Sequence, residues 1–115
     1  MKTKDKAREI ARIAEDKKAR DIVILDVKNL CNFTDYFVLA TADSTSQIRA
    51  ICGEIEEKLK ESHIPARGMD GKHGSTWRVL DYGDVIFHCF SQETREYYNL
   101  EKLWADAEEI RWEAS

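Results

Sequence analysis

The sequence has little proline, glycine or cysteine: one proline, five glycines and three cysteines in 115 residues. With so few proline and glycine residues, a long disordered segment is not expected. The apolar runs stay well below the roughly 20 residues that a membrane-spanning helix needs. The N-terminal region lacks the apolar core of a signal peptide, so we expect a single domain over residues 1–115, without a membrane segment, in the cytoplasm.

The cysteines, Cys31, Cys52 and Cys89, are odd in number and have no CxxC spacing. This is not the pattern of a disulfide framework or of a structural zinc site. They are most simply interpreted as small, reduced, apolar side chains.

Positive charge is scarce in the C-terminal part of the chain. Residues 93–115 hold three Lys or Arg against seven Asp or Glu, whereas residues 2–20 hold eight against four, and the net charge is −4. This balance argues against direct nucleic-acid recognition as the main contact, since gripping phosphates needs a basic face. An acidic region suits a basic protein partner, although a solvated acidic surface would have the same composition.

The first half of the chain shows two helical and two strand patterns. Residues 4–18 have helical periodicity with a narrow, alanine-rich apolar stripe. The apolar runs at 22–25 and 36–40 predict strands buried on both faces. The short link between these runs favours an antiparallel pair. Residues 45–62 predict a helix, with Ser44 and Gln47 as a capping box and an apolar stripe formed by Ile48, Ile51, Cys52, Ile55 and Leu59.

The second half predicts a short edge strand at 66–70, a loop at 71–75 and a β-hairpin. The hairpin strands contain residues 79–80 and 85–87, and Gly83 supplies the positive φ that a tight turn often needs. Helices are expected at 93–98 and 100–110, with Asn99 as a cap between them. The order α-β-β-α-β-β-β-α indicates an α/β layered domain, a mixed sheet of about five strands with helices packed on it.

No set of residues indicates catalysis, a metal or a cofactor. His88 and Cys89 are neighbours on a strand, so their side chains leave on opposite faces, while His63 and His73 lie in loops without a ligand spacing. We therefore interpret His88 as a core or interface histidine with one nitrogen hydrogen-bonded. Asp81 and Asp84 flank a turn, where turn-stabilising and partner-facing roles are both favoured over acid–base chemistry.

Aromatic residues concentrate in the last third of the chain. Considered separately, Trp77, Tyr82, Tyr98 and Trp104 are each more consistent with a core position than with an interface. Clustered beside acidic residues, they favour a protein-docking surface, since aromatic side chains with a polar tip commonly anchor interfaces.

Four ordered segments give a more specific indication. They lie at residues 21–30 (DIVILDVKNL), 34–51 (TDYFVLATADSTSQIRAI), 77–90 (WRVLDYGDVIFHCF) and 95–104 (REYYNLEKLW). Through them the chain resembles the ribosomal silencing factor (Iojap) family along residues 19–104. The chain has Ala40-Thr41-Ala42 where the family usually reads Ala-Thr-Gly, and Asp70-Gly71 where it usually has Glu-Gly.

The resemblance implies a nucleotidyltransferase-like fold without enzyme activity. It also implies binding to large-subunit ribosomal protein fourteen on the intersubunit face of the large ribosomal subunit, which sterically blocks joining of the small subunit and represses translation. Family members often form homodimers in isolation, and organellar relatives act in assembly of the large subunit. The family's partner-contacting pattern falls on Trp77, Asp81, Tyr82, Asp84, Tyr98, Leu100, Leu103 and Trp104.

Two alternatives to silencing stay open at this point. A large-subunit assembly factor would use the same surface. An active nucleotidyltransferase would need paired carboxylates for Mg²⁺, and the chain offers Asp26-Val27-Lys28 and Asp35-Tyr36-Phe37, each lacking the second acid.

Overall fold

The computed structural model describes residues 1–71 and 75–113, so the predicted loop at 71–75, with His73, lies largely outside the described residues. The helices in this part are α1 (Thr3–Asp16), α2 (Thr45–Glu61), α3 (Gln92–Tyr98) and α4 (Leu100–Leu103). The strands are β1 (Arg20–Asp26), β2 (Tyr36–Thr41), β3 (Gly68–Asp70), β4 (Trp77–Asp81), β5 (Val85–Phe90) and β6 (Glu108–Ile110).

Within the described ranges the strands form one mixed sheet in the order β3-β4-β5-β2-β1-β6. The β2–β5 pair is parallel, and the other neighbouring strands are antiparallel. The mixed α/β class is therefore confirmed, as is the antiparallel pairing of β1 with β2. The hairpin also forms as predicted, with Gly83 at a φ of 86° in the turn between β4 and β5.

The two faces of the sheet are covered unequally. Helices α1 and α2 pack on one face and form the larger apolar core with the side chains that β2, β4 and β5 direct toward them. The opposite face carries a smaller cluster that contains Phe37, Leu39 and Phe90 and is covered by α3, α4 and the segment that follows them. Every residue of β2 is buried, as expected for a strand covered on both faces.

The start of α2 is fixed by the Ser44 half of the predicted capping box, while the Gln47 side chain bonds Asp43, the residue before the cap. The Ser44 hydroxyl accepts a hydrogen bond from the Gln47 backbone N–H at 3.0 Å. The Gln47 side chain accepts from the backbone N–H of Asp43 at 2.6 Å and donates to the carbonyls of Lys17 and Lys18, at the end of α1. A capping interaction predicted as local thus also ties the two helices together.

The prediction of a helix over residues 100–110 is wrong beyond Leu103. Residues 108–110 form β6, the sixth strand where about five were expected, and Ile110 pairs with Ile24 of β1. The Trp112 indole N–H then donates to the Ile22 carbonyl at 3.2 Å. The physical reason is that β1 would otherwise present an unpaired edge, and β6 satisfies its backbone groups while burying Ile110 and Trp112.

Candidate functional site

The candidate site is the sheet face opposite α1 and α2, which we call the aromatic face. Strand register places its inner side chains, because directly paired residues share a face: Trp77 pairs with Phe90, and Val79 pairs with His88. Phe37 of β2 reaches the same face, with its ring centroid 5.3 Å from that of His88. The rings of the aromatic face belong to Phe33, Phe37, Trp77, His88, Phe90, Tyr97, Tyr98 and Trp104.

Ring contacts run continuously across this face. Trp77 lies 5.8 Å from Phe90 and 4.8 Å from Tyr98, measured between centroids, and Tyr98 contacts Tyr97 at 4.9 Å. On the other side of the face, Phe37 contacts Trp104 at 5.4 Å. These separations lie in the range where edge-to-face and offset aromatic pairs are favourable. The inner rings are buried, and the ends of the row are open to solvent.

His88 fills an aromatic position in this row. Its Nδ1 accepts a hydrogen bond from the Trp77 indole N–H at 3.1 Å, which confirms the interpretation of a histidine with one bonded nitrogen. Nε2 is buried and has no hydrogen-bond partner among residues 1–71 and 75–113. Burial lowers the pKa of His88 to about 4, so the imidazole is neutral at physiological pH. A neutral ring among aromatic neighbours stabilises packing and supplies no charge.

Arg95 is the residue that sequence reasoning missed. Its guanidinium is buried, donates to the Asp21 carbonyl at 2.6 Å and to the Thr41 hydroxyl at 2.8 Å, and pairs with both oxygens of Glu101 at 3.0 Å. These bonds fix α3 to β1 and β2 and join α3 to α4. In the sequence Arg95 is the one arginine of the acidic and aromatic segment 95–104. Its neighbours in the sequence do not indicate that it is buried.

Asn99 sets the direction of the chain between the two short helices. It adopts the left-handed conformation with a φ of 46°, and its side chain accepts a hydrogen bond from the Lys102 backbone N–H at 3.2 Å. Asparagine tolerates this conformation better than most residues. The resulting bend lets the Tyr98 ring contact that of Trp77 at a tilt of 47° while Leu100 and Trp104 pack against the cluster around Phe37. Asn99 thus confirms the predicted cap.

Six of the eight predicted contact residues belong to this side of the sheet. Trp77, Tyr98, Leu100 and Trp104 contribute to it directly, and Leu103, 71% exposed, follows on the same short helix. Asp81 pairs with Ile86 across the hairpin, which places it on the face of Trp77, and its carboxylate accepts from the Gly83 N–H at 2.7 Å.

Tyr82 does not belong to the aromatic face, which corrects the expectation of a partner contact. Its side chain is 5% exposed and lies in the core beneath the helices. Side chains alternate along the hairpin, so Leu80 and Tyr82 point to the helix side when Trp77, Val79 and Asp81 point to the other. Burial raises the pKa of the Tyr82 hydroxyl above its usual value.

Asp84 also differs from the expectation, because its carboxylate is already bound within the chain. It pairs with Lys6 at 2.7 Å and accepts from the Thr3 hydroxyl at 2.6 Å, both from the first turns of α1. Burial raises the pKa of Asp84, but the hydrogen bonds from Lys6 and Thr3 outweigh it, so that the pKa lies below its usual value. Asp84 therefore fastens α1 to the hairpin turn.

The rim of the aromatic face is acidic. Glu93, Glu96, Asp106 and Glu109 are exposed, as is Lys102, whereas Arg95 is buried. A groove of about 430 Å³ lies beside Trp77 and Tyr98. Exposed rings in an acidic setting can bind an apolar and basic protein surface.

Other chemistries find little support in the described residues. Cys52 is fully buried, and burial raises the pKa of its thiol to about 12, so the thiol stays protonated. Within residues 1–71 and 75–113, no group of three or more His, Cys, Asp and Glu side chains could hold a metal ion. No helix in that part of the chain is long and apolar enough to span a membrane.

Comparisons with known proteins agree with the geometry. A family model described as "Ribosomal silencing factor during starvation" matches residues 1–115. The ribosomal silencing factor RsfS of Bacillus subtilis is 40% identical over 97 residues, covering 84% of this chain and 82% of that protein. A crystal structure of a Chromobacterium violaceum protein is similar with a TM-score of 0.88 and 29% identity, covering 100% of this chain and 95% of that chain.

A mouse relative carries a different name. "Mitochondrial assembly of ribosomal large subunit protein 1" is 33% identical over 97 residues, and the match covers 80% of this chain and 42% of that protein.

The neutral state of His88 predicts a pH dependence of stability. The folded pKa of about 4 lies below the ordinary histidine value of 6.5, so stability is fully present above pH 6.5 and declines as the pH falls toward 4. Between pH 7.5 and pH 5 we expect the free energy of unfolding to fall by about 2 kcal/mol from this group. Urea denaturation of wild type and His88→Phe at both pH values measures the difference. The control is His63→Gln, which changes an exposed histidine; a wild-type pH dependence equal to that of His88→Phe would contradict the assignment.

The Lys6–Asp84 pair predicts a coupling between α1 and the hairpin. In a double-mutant cycle with Lys6→Met and Asp84→Asn, we expect a coupling free energy of about 1 kcal/mol, because the pair is partly buried and reinforced by Thr3. The measurement is urea denaturation at pH 7. The matched control is the exposed Glu9–Arg12 pair on the same helix, 3.8 Å apart, where the coupling should be near zero. Equal coupling in both cycles would show that the Asp84 contact has no special role.

Proposed function

Because this chain belongs to the family of ribosomal silencing factors, we propose that it represses translation by occupying the large ribosomal subunit. Its partner is large-subunit ribosomal protein fourteen, on the face that meets the small subunit, and the bound protein keeps the small subunit from joining. The site of action is the cytoplasm. The observation that carries this proposal is the aromatic face, where exposed apolar side chains stand beside acidic residues.

The anchors of this contact are Trp77, Tyr98, Leu103 and Trp104. Tyr98 is 54% exposed and rests on Trp77, so its ring offers contact area with little freedom left to lose on binding. Leu100 supports them from below, and Asp81 lies at the hairpin end of the same sheet face. Tyr82 and Asp84 take no part in the contact and act through the core and α1.

Charge supports a basic partner. Residues 93–115 hold seven acidic and three basic residues. One of the basic residues, Arg95, is buried and paired with Glu101, and the other six acidic and two basic residues keep the segment net negative. Opposite charges would mainly speed the encounter and set the register, while the aromatic anchors supply the affinity.

Occupancy is sufficient for this mechanism, and no bond needs to be made or broken. The family is named for silencing and not for a catalysed reaction. A dissociation constant of about 1 nM corresponds to about 12 kcal/mol, enough to compete with the joining of subunits. For a nucleotidyltransferase, a metal ion at Asp26 would have to displace Lys28, whose ammonium lies 2.9 Å from the carboxylate. Clear binding of Mg-ATP in calorimetry would contradict a purely steric function.

Assembly of the large subunit is the second candidate function. The similarity to the mouse protein named for such assembly favours it. Both functions use one surface, so mutations of the aromatic face affect them equally. Ribosome profiles after depletion separate the two: large-subunit precursors would indicate assembly, and an excess of joined ribosomes during starvation would indicate silencing.

A homodimer of the free protein is also part of the proposal. Exposed apolar side chains such as Leu103 and Tyr97, 71% and 80% exposed, favour self-association when no partner covers them. Analytical ultracentrifugation at several concentrations measures the oligomeric state.

Subunit joining provides the direct test. Purified protein added to separated subunits should lower the yield of joined ribosomes, and the inhibition should weaken as salt increases, because salt screens the contact between acidic and basic surfaces. Light scattering or sucrose gradients measure the joined fraction. Unchanged joining at a large excess of protein would overturn the proposal.

A charge-reversal pair tests which surface acts. Glu93→Lys places a positive charge beside Tyr97 and Tyr98, and it should slow association with large subunits and raise the dissociation constant several-fold. Glu57→Lys makes the same change on the exposed side of α2, across the sheet, and should have little effect. Equal effects of the two variants would mean that net charge alone, and not the aromatic face, sets the affinity.

A further inference from the structure

Phe33 is an exposed ring that joins the aromatic face from a different part of the chain. It lies in the connection between β1 and β2, outside the hairpin and the C-terminal helices. Its centroid is 6.2 Å from that of Phe37 and 6.5 Å from that of Trp104, and its side chain is 59% exposed. The exposed end of the row at Tyr97 and Tyr98 therefore has a counterpart at the opposite end.

The loop that carries Phe33 is held in place by the core. Val27 is fully buried, and its backbone N–H donates a hydrogen bond to the Asp35 carbonyl. Its carbonyl accepts from the N–H groups of Leu30 and Cys31 at 2.9 and 3.0 Å. Thr34, next to Phe33, is also buried. A ring presented on a fixed loop loses little conformational freedom when a partner covers it.

Exposure by itself carries no argument, since single exposed apolar residues are common on protein surfaces. Phe33 differs because it continues an existing row of rings. The row crosses β4, β5 and β2, so its strand-borne part spans two strand spacings, about 10 Å. A partner surface of ordinary size, about 800 Å² on each side, would cover both exposed ends at once.

We propose that Phe33 is a further anchor of the docking surface, at the end opposite Tyr98, and that it receives an apolar side chain of the same basic protein that covers Tyr98. The rings of Phe37 and Trp104 form the base of this anchor. The occupant is assigned by charge: Asp106 and Glu109 follow Trp104 in the chain and are exposed, and Glu109 pairs with Leu25, which faces the aromatic side, so a segment with lysine or arginine beside an apolar residue fits this end. This inference rests on the proposed function and adds a specificity-determining residue to it.

The test compares four proteins for binding to purified large ribosomal subunits. They are wild type, Tyr98→Ala, Phe33→Ala and Met69→Ala. Met69 is the matched control because it is a large apolar residue, 56% exposed, and pairs with Leu80, which places it on the opposite face of the sheet. We expect Phe33→Ala to raise the dissociation constant about fivefold or more and Met69→Ala to leave it unchanged.

A conservative variant separates contact from folding. Phe33→Tyr keeps the ring contacts with Phe37 and Trp104 and should restore binding to within about twofold of wild type. Thermal melts by circular dichroism are recorded for every variant. Loss of binding by Phe33→Ala at a temperature where it is fully folded supports the proposal.

The two proposals fail in different ways. If wild type does not bind large subunits, the proposed function is wrong. If wild type binds, Tyr98→Ala weakens binding, and folded Phe33→Ala binds as tightly as Met69→Ala, the docking surface stands and the role of Phe33 is overturned.

Discussion

The parallel pairing of β2 with β5 is the constraint on which the rest of this structure depends. Both strands lie inside the sheet, and every residue of β2 is buried, so both faces must be covered. On one face α1 and α2 supply a continuous apolar layer. The other face is covered by two helices of seven and four residues, and aromatic rings fill the remaining space. The second layer is thinner, and its edges leave aromatic side chains in solvent.

A buried charged residue, Arg95, holds the layer formed by α3 and α4 against the sheet. Arg95 is buried beneath α3 and binds a backbone carbonyl, a hydroxyl and a carboxylate. Burying a guanidinium is costly unless its donors are satisfied, and here each partner comes from a different element. Removing any of them would leave a buried charge with fewer bonds. The exposed rings therefore sit on a rigid base, which suits a surface that binds by shape.

The two ends of the chain differ in net charge. Residues 2–20 hold eight basic and four acidic residues, although α1 itself holds four of each, and residues 93–115 hold three basic and seven acidic residues. Lys6 of α1 pairs with Asp84 of the hairpin turn, which lies outside the acidic C-terminal segment. In the sequence Asp84 belongs to the family's contact pattern, but its carboxylate has a partner within the chain. The acidic character of the aromatic face comes from the C-terminal residues.

The sequence by itself determined the fold class, most of the elements and the Ser44 cap of α2. Periodicity and capping are local, so they can be read from neighbouring residues. Tertiary structure decided what depends on distant parts of the chain. Strand alternation sent Tyr82 into the core, an open edge of β1 turned residues 108–110 into a strand, and Phe33 reached Trp104 across about seventy positions of sequence. Burial of Arg95 likewise required partners on three separate elements, because one segment cannot satisfy a guanidinium alone.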